Sequence, residues 1–477
     1  MPSNASVIVR AEFPVGADVL SSAMTAVTMA GGEVGGMDTV RSTRETITRD
    51  IVIHGADEAQ CEEIVTTLRG ISGIEVLDVT NSIFRAHEGG MLTMRTRAPV
   101  RSRDDLSMAY TPGVARVCMA IHDDPERAWD LTIKGNSVMV VSDGSKLVGG
   151  EDLGPLAALP VLEGLSLFMR QLADVDAFPL PIDSHDPAVI ADTVTKISSV
   201  FAGVHLADVS APNCFTIEEA LKESLDIPVL HGDAEGTAAA LLAGVLNGLQ
   251  VTGRIIEDIT VCVAGSGPGA IAFRRLVDAA GASEVRAAET DEAVHDLVKG
   301  ADVYVGVGAP GSLAADDIAG MAAEPIVFAL GMPDPDLDPA DAGGVAGFGT
   351  GRPDLPNQVN STLAFPGIWR GLLDVRASAL TDQAVMAATS TARPGAMAPA
   401  ARLAMSSTLR FRSTRVKPSG FGRVALMASP SSTSTGFPGD GPRRCIRSER
   451  TRAPHRWRDP RTPPGTAKGL PGNPSPT

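Results

Sequence analysis

Aromatic residues are scarce in this chain: Phe, Tyr and Trp make up 4% of its 477 residues, and only two are tyrosines. Tyr110, set ahead of a Pro-Gly turn in L-S-M-A-Y-T-P-G-V-A, therefore reads either as a core aromatic or as a chemical group. The five cysteines (Cys61, Cys118, Cys214, Cys262, Cys445) include no C-x-x-C pair. Their spacing argues against a zinc or disulfide framework and predicts reduced, mostly buried thiols. No run approaches the roughly 18 uninterrupted apolar residues that a membrane helix needs. The opening M-P-S-N-A-S-V-I-V-R-A-E lacks the basic-then-apolar layout of a secretory signal. These absences predict a cytoplasmic protein with no membrane partner.

Basic charge is also short over most of the chain. The formal net charge is −16, yet the last 77 residues carry 15 Lys and Arg against three Asp and Glu, leaving the first 400 residues near −28. An acidic body disfavours nucleic acid as a partner, and only the tail could bind phosphates. From residue 390 the texture turns to Arg, Pro, Ser, Thr and Gly without an apolar period. Residues 390–477 therefore cannot offset the entropy of ordering. They read as a disordered basic tail, or as a frame-shifted translation replacing a native C-terminal helix.

What is present is an α/β pattern. The chain is 44% hydrophobic and long enough for three ordinary domains. Residues 1–90 read as a small α+β unit of β-α-β-β-α-β order. A-S-V-I-V-R-A-E-F is its first strand, and Asp18 is placed to cap a helix that runs to Met29 and stops at Gly31-Gly32. Thr46 to Ile53 alternates as a half-buried strand, Ala59 to Leu68 as an amphipathic helix, and Ile74 to Val79 closes the sheet. This order resembles an ACT domain, a module that binds small effectors or pairs subunits.

The dinucleotide signal lies further on. Ile259 to Ala264 is a short apolar run suited to a buried parallel strand. Gly265, Gly267 and Gly269 follow, and then the helical A-I-A-F-R-R-L-V. Glycines between a strand and a helix allow a tight turn and let a pyrophosphate approach the helix N-terminus. A second strand, E-V-R-A-A, ends at Glu289, the position for an acid that bonds a ribose and disfavours the extra phosphate of NADP.

Seven blocks stand in order: L-S-M-A-Y-T-P-G-V-A at 106–115, V-V-S-D-G-S at 140–145, E-D-L-G-P-L-A-A-L-P-V-L-E-G at 151–164, D-V-D-A-F-P-L-P-I-D at 174–183, L-A-D-V-S-A-P-N-C-F at 206–215, A-G-S-G-P-G-A at 264–270 and P-N-Q-V-N-S-T-L-A-F-P-G-I-W-R-G at 356–371. Together they resemble the bacterial malic enzymes with an N-terminal ACT-like domain. The resemblance implies an ACT-like unit at 1–90, a malic-enzyme N-terminal domain for substrate and metal at 91–232, and a Rossmann-type, doubly wound NAD-binding domain at 233–389. It implies the metal- and NAD-dependent oxidative decarboxylation of malate or a similar small hydroxy acid, in a homodimer. Magnesium or manganese would be held by Asp208 and Asp233, with Tyr110 as proton donor and Asn360 on the substrate.

The same resemblance exposes departures. The family's E-G-K is Glu163-Gly164-Leu165 here, so the lysine base is a leucine. Its Glu-Asp metal pair is Ala207-Asp208, and its H-D-D-x-x-G-T is His231-Gly232-Asp233-Ala234-Glu235-Gly236-Thr237. Met332 and Ser361 replace two asparagines. An aspartate at 232 without its lysine partner would be a costly buried charge, and glycine removes it. Lys146, where some family members carry a substrate-binding arginine, is open to three readings: a carboxylate grip, a base lowered by desolvation, or a solvated surface lysine. His185 and His231 read as structural. The chain is thus either a divergent NAD-dependent malic enzyme or a catalytically silent homologue that binds dinucleotide or a small acid as a sensor or regulatory subunit.

Overall fold

A computed structural model describes residues 5–391, apart from residues 17, 148–149, 309–310, 332–333 and 354. Met332, Cys445 and the tail from residue 392 lie outside the described residues.

The first unit runs β1 (Ala5–Pro14), α1 (Val19–Met29), β2 (Glu33–Ser42), β3 (Thr46–Gly55), α2 (Glu58–Arg69), β4 (Glu75–Asn81) and α3 (Ser82–His87). Its antiparallel sheet has the order β2-β3-β1-β4. Alternation does the work: Val9, Ala11 and Phe13 of β1 and Ile51 and Ile53 of β3 point to one face, where Ala23, Val27, Ile64 and Leu68 of the two helices cover them. Asp57 caps α2 by accepting from Gln60 N. Asp18 precedes α1 as its spacing predicts, but its side chain makes no capping bond. Strand β2 lacks a sequence signal because most of its residues are exposed.

The chain continues through α4 (Arg103–Ala109), α5 (Val114–Asp123), α6 (Ala128–Leu131), β5 (Ser137–Ser142), α7 (Pro155–Ala173), β6 (Asp176–Pro181), α8 (Pro187–Ile197), β7 (Gly203–Leu206), α9 (Asn213–Ser224) and β8 (Val229–His231). The strands form a parallel sheet in the order β6-β5-β7-β8. Burial on both faces explains their unbroken apolar runs, as in S-V-M-V-V-S. By length and composition α7 is apolar enough to cross a membrane, which the sequence survey did not register. It carries Glu163 and Arg170, however, and packs Leu162 and Met169 into the protein core.

Helix α10 (Thr237–Thr252) leads to β9 (Thr260–Ala264), α11 (Pro268–Ala279), β10 (Glu284–Ala288), α12 (Asp291–Leu297), β11 (Val303–Gly306), α13 (Ala315–Gly320), β12 (Ile326–Ala329) and β13 (Gly347–Thr350). These strands form a parallel sheet in the order β10-β9-β11-β12-β13. Strand order reverses between β9 and β11, the switch point at which open α/β sheets bind ligands. Helices α14 (Phe365–Asp374) and α15 (Asp382–Thr391) return to cover the core.

One apolar cluster runs from sheet to sheet, through Val138 and Val140 of β5, Leu241 and Val245 of α10, Val261 and Val263 of β9, and Phe365 and Trp369 of α14. The Trp369 ring lies so close to Gly203 that a Cβ there would sit 2.2 Å from it. Its indole N–H donates to Nδ1 of buried His205 at 3.1 Å. Trp369→Phe would replace the indole by a smaller aromatic ring and strip that acceptor of its donor. Urea unfolding should then show a loss of about 1–3 kcal/mol, and an unchanged midpoint would show that the bond adds nothing.

Candidate active site

The carboxyl ends of β5, β7 and β8 build one wall of the cleft. Strand order reverses between β5 and β7, so the loops after them diverge and leave a crevice. The loop after β5 carries Lys146, whose backbone N–H donates to the Asp208 carbonyl at 3.2 Å. Ser142 Oγ donates to the same carbonyl at 3.3 Å. These bonds hold Asp208 at φ 53°, a left-handed backbone that a non-glycine residue adopts at a cost. After β8 the chain makes one wide π-type turn, Gly232–Gly236, that presents Asp233. Lys146 Nζ meets Asp233 Oδ2 at 3.3 Å. Of the expected site residues, Lys146, Asp208 and Asp233 therefore come together, and Lys146 is no free surface lysine. Burial, and then the Asp233 charge, push the Asp208 carboxyl well above the usual range.

The three replaced positions have a physical logic. Leu165 packs against the apolar cluster that also contains Ala207 and Ala234. Where the family places a lysine and a glutamate, this chain has core. At Gly232 the room is taken: a Cβ there would lie 2.7 Å from His205 Nε2. The His205 ring is fully buried, and burial together with nearby His231 holds its pKa down to about 3, so it stays neutral.

Among the described residues no group of three His, Cys, Asp or Glu side chains is placed to hold a metal ion. Asp208 and Asp233 remain as two carboxylates, one already paired with an ammonium group. This donor set does not by itself make a metal centre.

Asn360 caps the short turn Ser361–Leu363 by accepting from Thr362 N at 2.9 Å. That turn lies against the π-type turn, since a Cβ on Gly236 would sit 3.2 Å from Ser361 Cβ. Tyr110 stands apart. It is 70% exposed. Asp143, fully buried, accepts from Ser145 and pairs with His185.

The glycine loop lies where its sequence places it. Gly265 has φ 118°, and a Cβ there would come 2.9 Å from the Val307 carbonyl across the switch point. Gly267 opens α11 with nothing within 4 Å of its side-chain position, leaving room for a phosphate. Gly269 serves packing: a Cβ would sit 2.9 Å from the Asp233 carbonyl. Glu289 follows β10 and pairs with Arg274 at 3.4 Å.

Sequence reading missed a charged network beside this cleft. Glu235, almost fully buried, accepts from His231 N at 3.1 Å and faces Lys222 at 3.6 Å and Arg275 at 3.5 Å. Glu218 bonds both Lys222 and His231 Nδ1, at 3.2 Å for the latter. The i,i+4 spacing of Glu218 and Lys222 was the available signal. Burial alone would raise the Glu218 carboxyl, but the bonds from His231 and Lys222 hold it down to about 2. A depressed acid stabilises the fold above its unfolded pKa of about 4.3 and loses that contribution as pH falls through the folded value. The stability gap between wild type and Glu218→Gln, measured by urea, should therefore narrow from pH 5 towards pH 2. A constant gap would contradict the network.

Residues 91–222 match the model of the malic enzyme N-terminal domain. The chain is 41% identical over 411 residues to an NAD-dependent malic enzyme of Geobacillus stearothermophilus, covering 80% of this chain and 86% of that protein. It is 39% identical to a bifunctional malic/malolactic enzyme of Bacillus subtilis, over 63% of this chain and 80% of the other. Among solved structures, the NAD-dependent malic enzyme of Thermotoga maritima superposes with a TM-score of 0.63 at 32% identity, covering 68% of this chain and 96% of that one. The malic enzyme of Pyrococcus horikoshii gives 0.60 at 38%, covering 63% and 78%. With these relatives, the two parallel sheets and the glycine loop at a switch point, the chain belongs to the malic enzyme family.

Proposed function

We propose that the cleft binds NAD and malate or a similar small hydroxy acid, and that oxidative decarboxylation, the family reaction, is strongly attenuated. The observation that carries this reading is the apolar floor: Leu165 and Ala207 sit in one hydrophobic cluster where a base and a metal ligand would stand. Gly265 and Gly267 would receive the pyrophosphate, with Gly269 packing α11 behind them, and Glu289 the adenosine ribose. In this reading Lys146 would grip a substrate carboxylate, Asn360 would bind the substrate and Tyr110 would supply the phenol. Magnesium or manganese would supply Lewis-acid chemistry if Asp208 and Asp233 held it.

Domain limits of 1–90, 91–232 and 233–389 follow from the same reading, and 390–477 stands as a tail. The ferredoxin-like strand order of the first unit supports an ACT-like role in binding a small effector or pairing subunits. A cytoplasmic homodimer fits this assignment.

Loss of a general base costs a factor of about 10²–10⁴. Malate-dependent NADH formation with manganese should therefore be at least ~100-fold slower in wild type than in a Leu165→Lys, Ala207→Glu, Gly232→Asp variant. Because position 232 is crowded by His205, the Leu165→Lys, Ala207→Glu pair is assayed alongside, with circular dichroism on both. Wild-type turnover equal to that of a folded variant would sink the attenuated reading. One alternative makes Lys146 the base, since its Nζ stands in the cleft within reach of Asp233. Lys146→Ala would then abolish whatever wild-type turnover exists.

Binding is tested separately. Calorimetric titration should show NAD bound at least ~10-fold more tightly than NADP, a gap of about 1.4 kcal/mol. Glu289→Ala should close most of it. Equal affinities in the wild type would remove Glu289 from the ribose site.

A further inference from the structure

The carboxyl end of the β9–β13 sheet holds one more acid. Asp336, beyond β12, is fully buried. Its oxygens reach two different segments of chain. Oδ1 accepts from Ser312 Oγ at 3.1 Å, and Oδ2 accepts from Gly331 N at 2.6 Å. Ser312 belongs to the segment after β11, and Gly331 to the segment after β12. Backbone bonds join the same segments: Leu313 N donates to the Asp336 carbonyl at 3.1 Å, and Gly311 N to the Pro335 carbonyl at 3.3 Å. The carboxylate thus fastens together the exits of two adjacent parallel strands.

The direction of these bonds is fixed. A carboxylate only accepts, so the one hydroxyl proton of Ser312 goes to Asp336. Tyr304, fully buried in β11, lies 3.2 Å from Ser312 Oγ and must therefore donate to it. A chain of donors runs from the middle of the sheet through Ser312 to the acid. Packing leaves it no slack, since a Cβ on Gly306 would lie 2.3 Å from Asp336 Cγ. Burial pushes the Asp336 carboxyl up, while the bonds from Gly331 and Ser312 and the backbone amide of Gly308 favour its charge.

These segments border the cofactor crevice. A Cβ on Gly308 would come 3.6 Å from Gly265 Cα, so the chain after β11 lies against the glycine turn. A dinucleotide bound at a switch point lies across it, with its two halves on opposite sides. Glu289 follows β10, so the adenosine half falls on that side of β9. The nicotinamide half then falls over the ends of β11 and β12, which are the ends that Asp336 fastens. The glycine turn has its own anchor, because Val307 N bonds the Ala264 carbonyl at 2.9 Å.

We infer that Asp336 is a positioning residue for NAD, holding the backbone at Gly308, Ser312 and Gly331 as the seat of the nicotinamide half. It acts through those segments and not by touching the cofactor. The inference rests on the proposed NAD site and goes beyond it by dividing that site into a half that needs Asp336 and a half that does not.

Full-length protein is titrated calorimetrically with NAD and, separately, with ADP, which carries the adenosine and the pyrophosphate but lacks the nicotinamide half. In Asp336→Asn one oxygen becomes an amide N–H that faces a donor whichever way the side chain turns, so one segment is released. This variant should bind NAD at least ~10-fold more weakly, with ADP within about twofold of wild type. A fold-wide defect would weaken both ligands alike, and circular dichroism checks folding. Unchanged NAD affinity in the folded variant, or a parallel loss of NAD and ADP, overturns the inference. If Asp336→Asn does not fold, Ser312→Ala takes its place, because it frees only the segment after β11. NAD bound at least ~3-fold more weakly with ADP spared then supports the inference, and unchanged NAD overturns it. Wild type that binds neither ligand would sink the proposed NAD site and the inference with it. Wild type that binds both leaves that site standing, whichever way the variants behave.

Discussion

The structure depends on a close approach between two backbones. Gly269, in the first turn of α11, brings that helix against the carbonyl of Asp233, with no space for a side chain between them. The parallel sheet of β5–β8 and the parallel sheet of β9–β13 also share one apolar core. The carboxyl ends of both sheets thereby meet, and the glycine loop after β9 stands beside the turn that carries Asp233. Packing at this joint tolerates little change, because interiors are dense and strain is transmitted through them.

The polar side of the cleft is organised around fewer charges than the family pattern implies. Two acids and one lysine are absent, which is a net loss of one negative charge, and Lys146 faces Asp233 in what remains. Removing single members of a buried ionic set leaves orphaned charges, whereas removing them together does not. The cleft of this chain is consistent with joint removal: apolar residues pack at two of the positions and a neutral histidine fills the space at the third. Alongside it, the Glu218, Lys222, His231, Glu235 and Arg275 network keeps its charges paired.

Much of this was legible in the sequence because it rests on local rules. The strand, glycine turn and helix around Gly265 follow from periodicity and backbone freedom. The alternation in β1 and β3 likewise reveals the face that helices cover. Strand β2 was illegible because solvent on most of its side chains erases alternation. The π-type turn at Gly232–Gly236 was illegible because no composition marks it. The pairing of Lys146 with Asp233 joins residues 87 positions apart, and no spacing rule reaches that far. For Tyr110 the sequence showed a turn but not the exposure of the helices around it.

The ring of His205 beside Gly232 limits what position 232 can hold. With the imidazole in that space and tied to Trp369 behind it, a carboxylate side chain at position 232 has no room unless the ring moves. Moving the histidine would leave the tryptophan N–H without its acceptor. The packing of one ring thus couples the identity of position 232 to a hydrogen bond made on the far side of the imidazole.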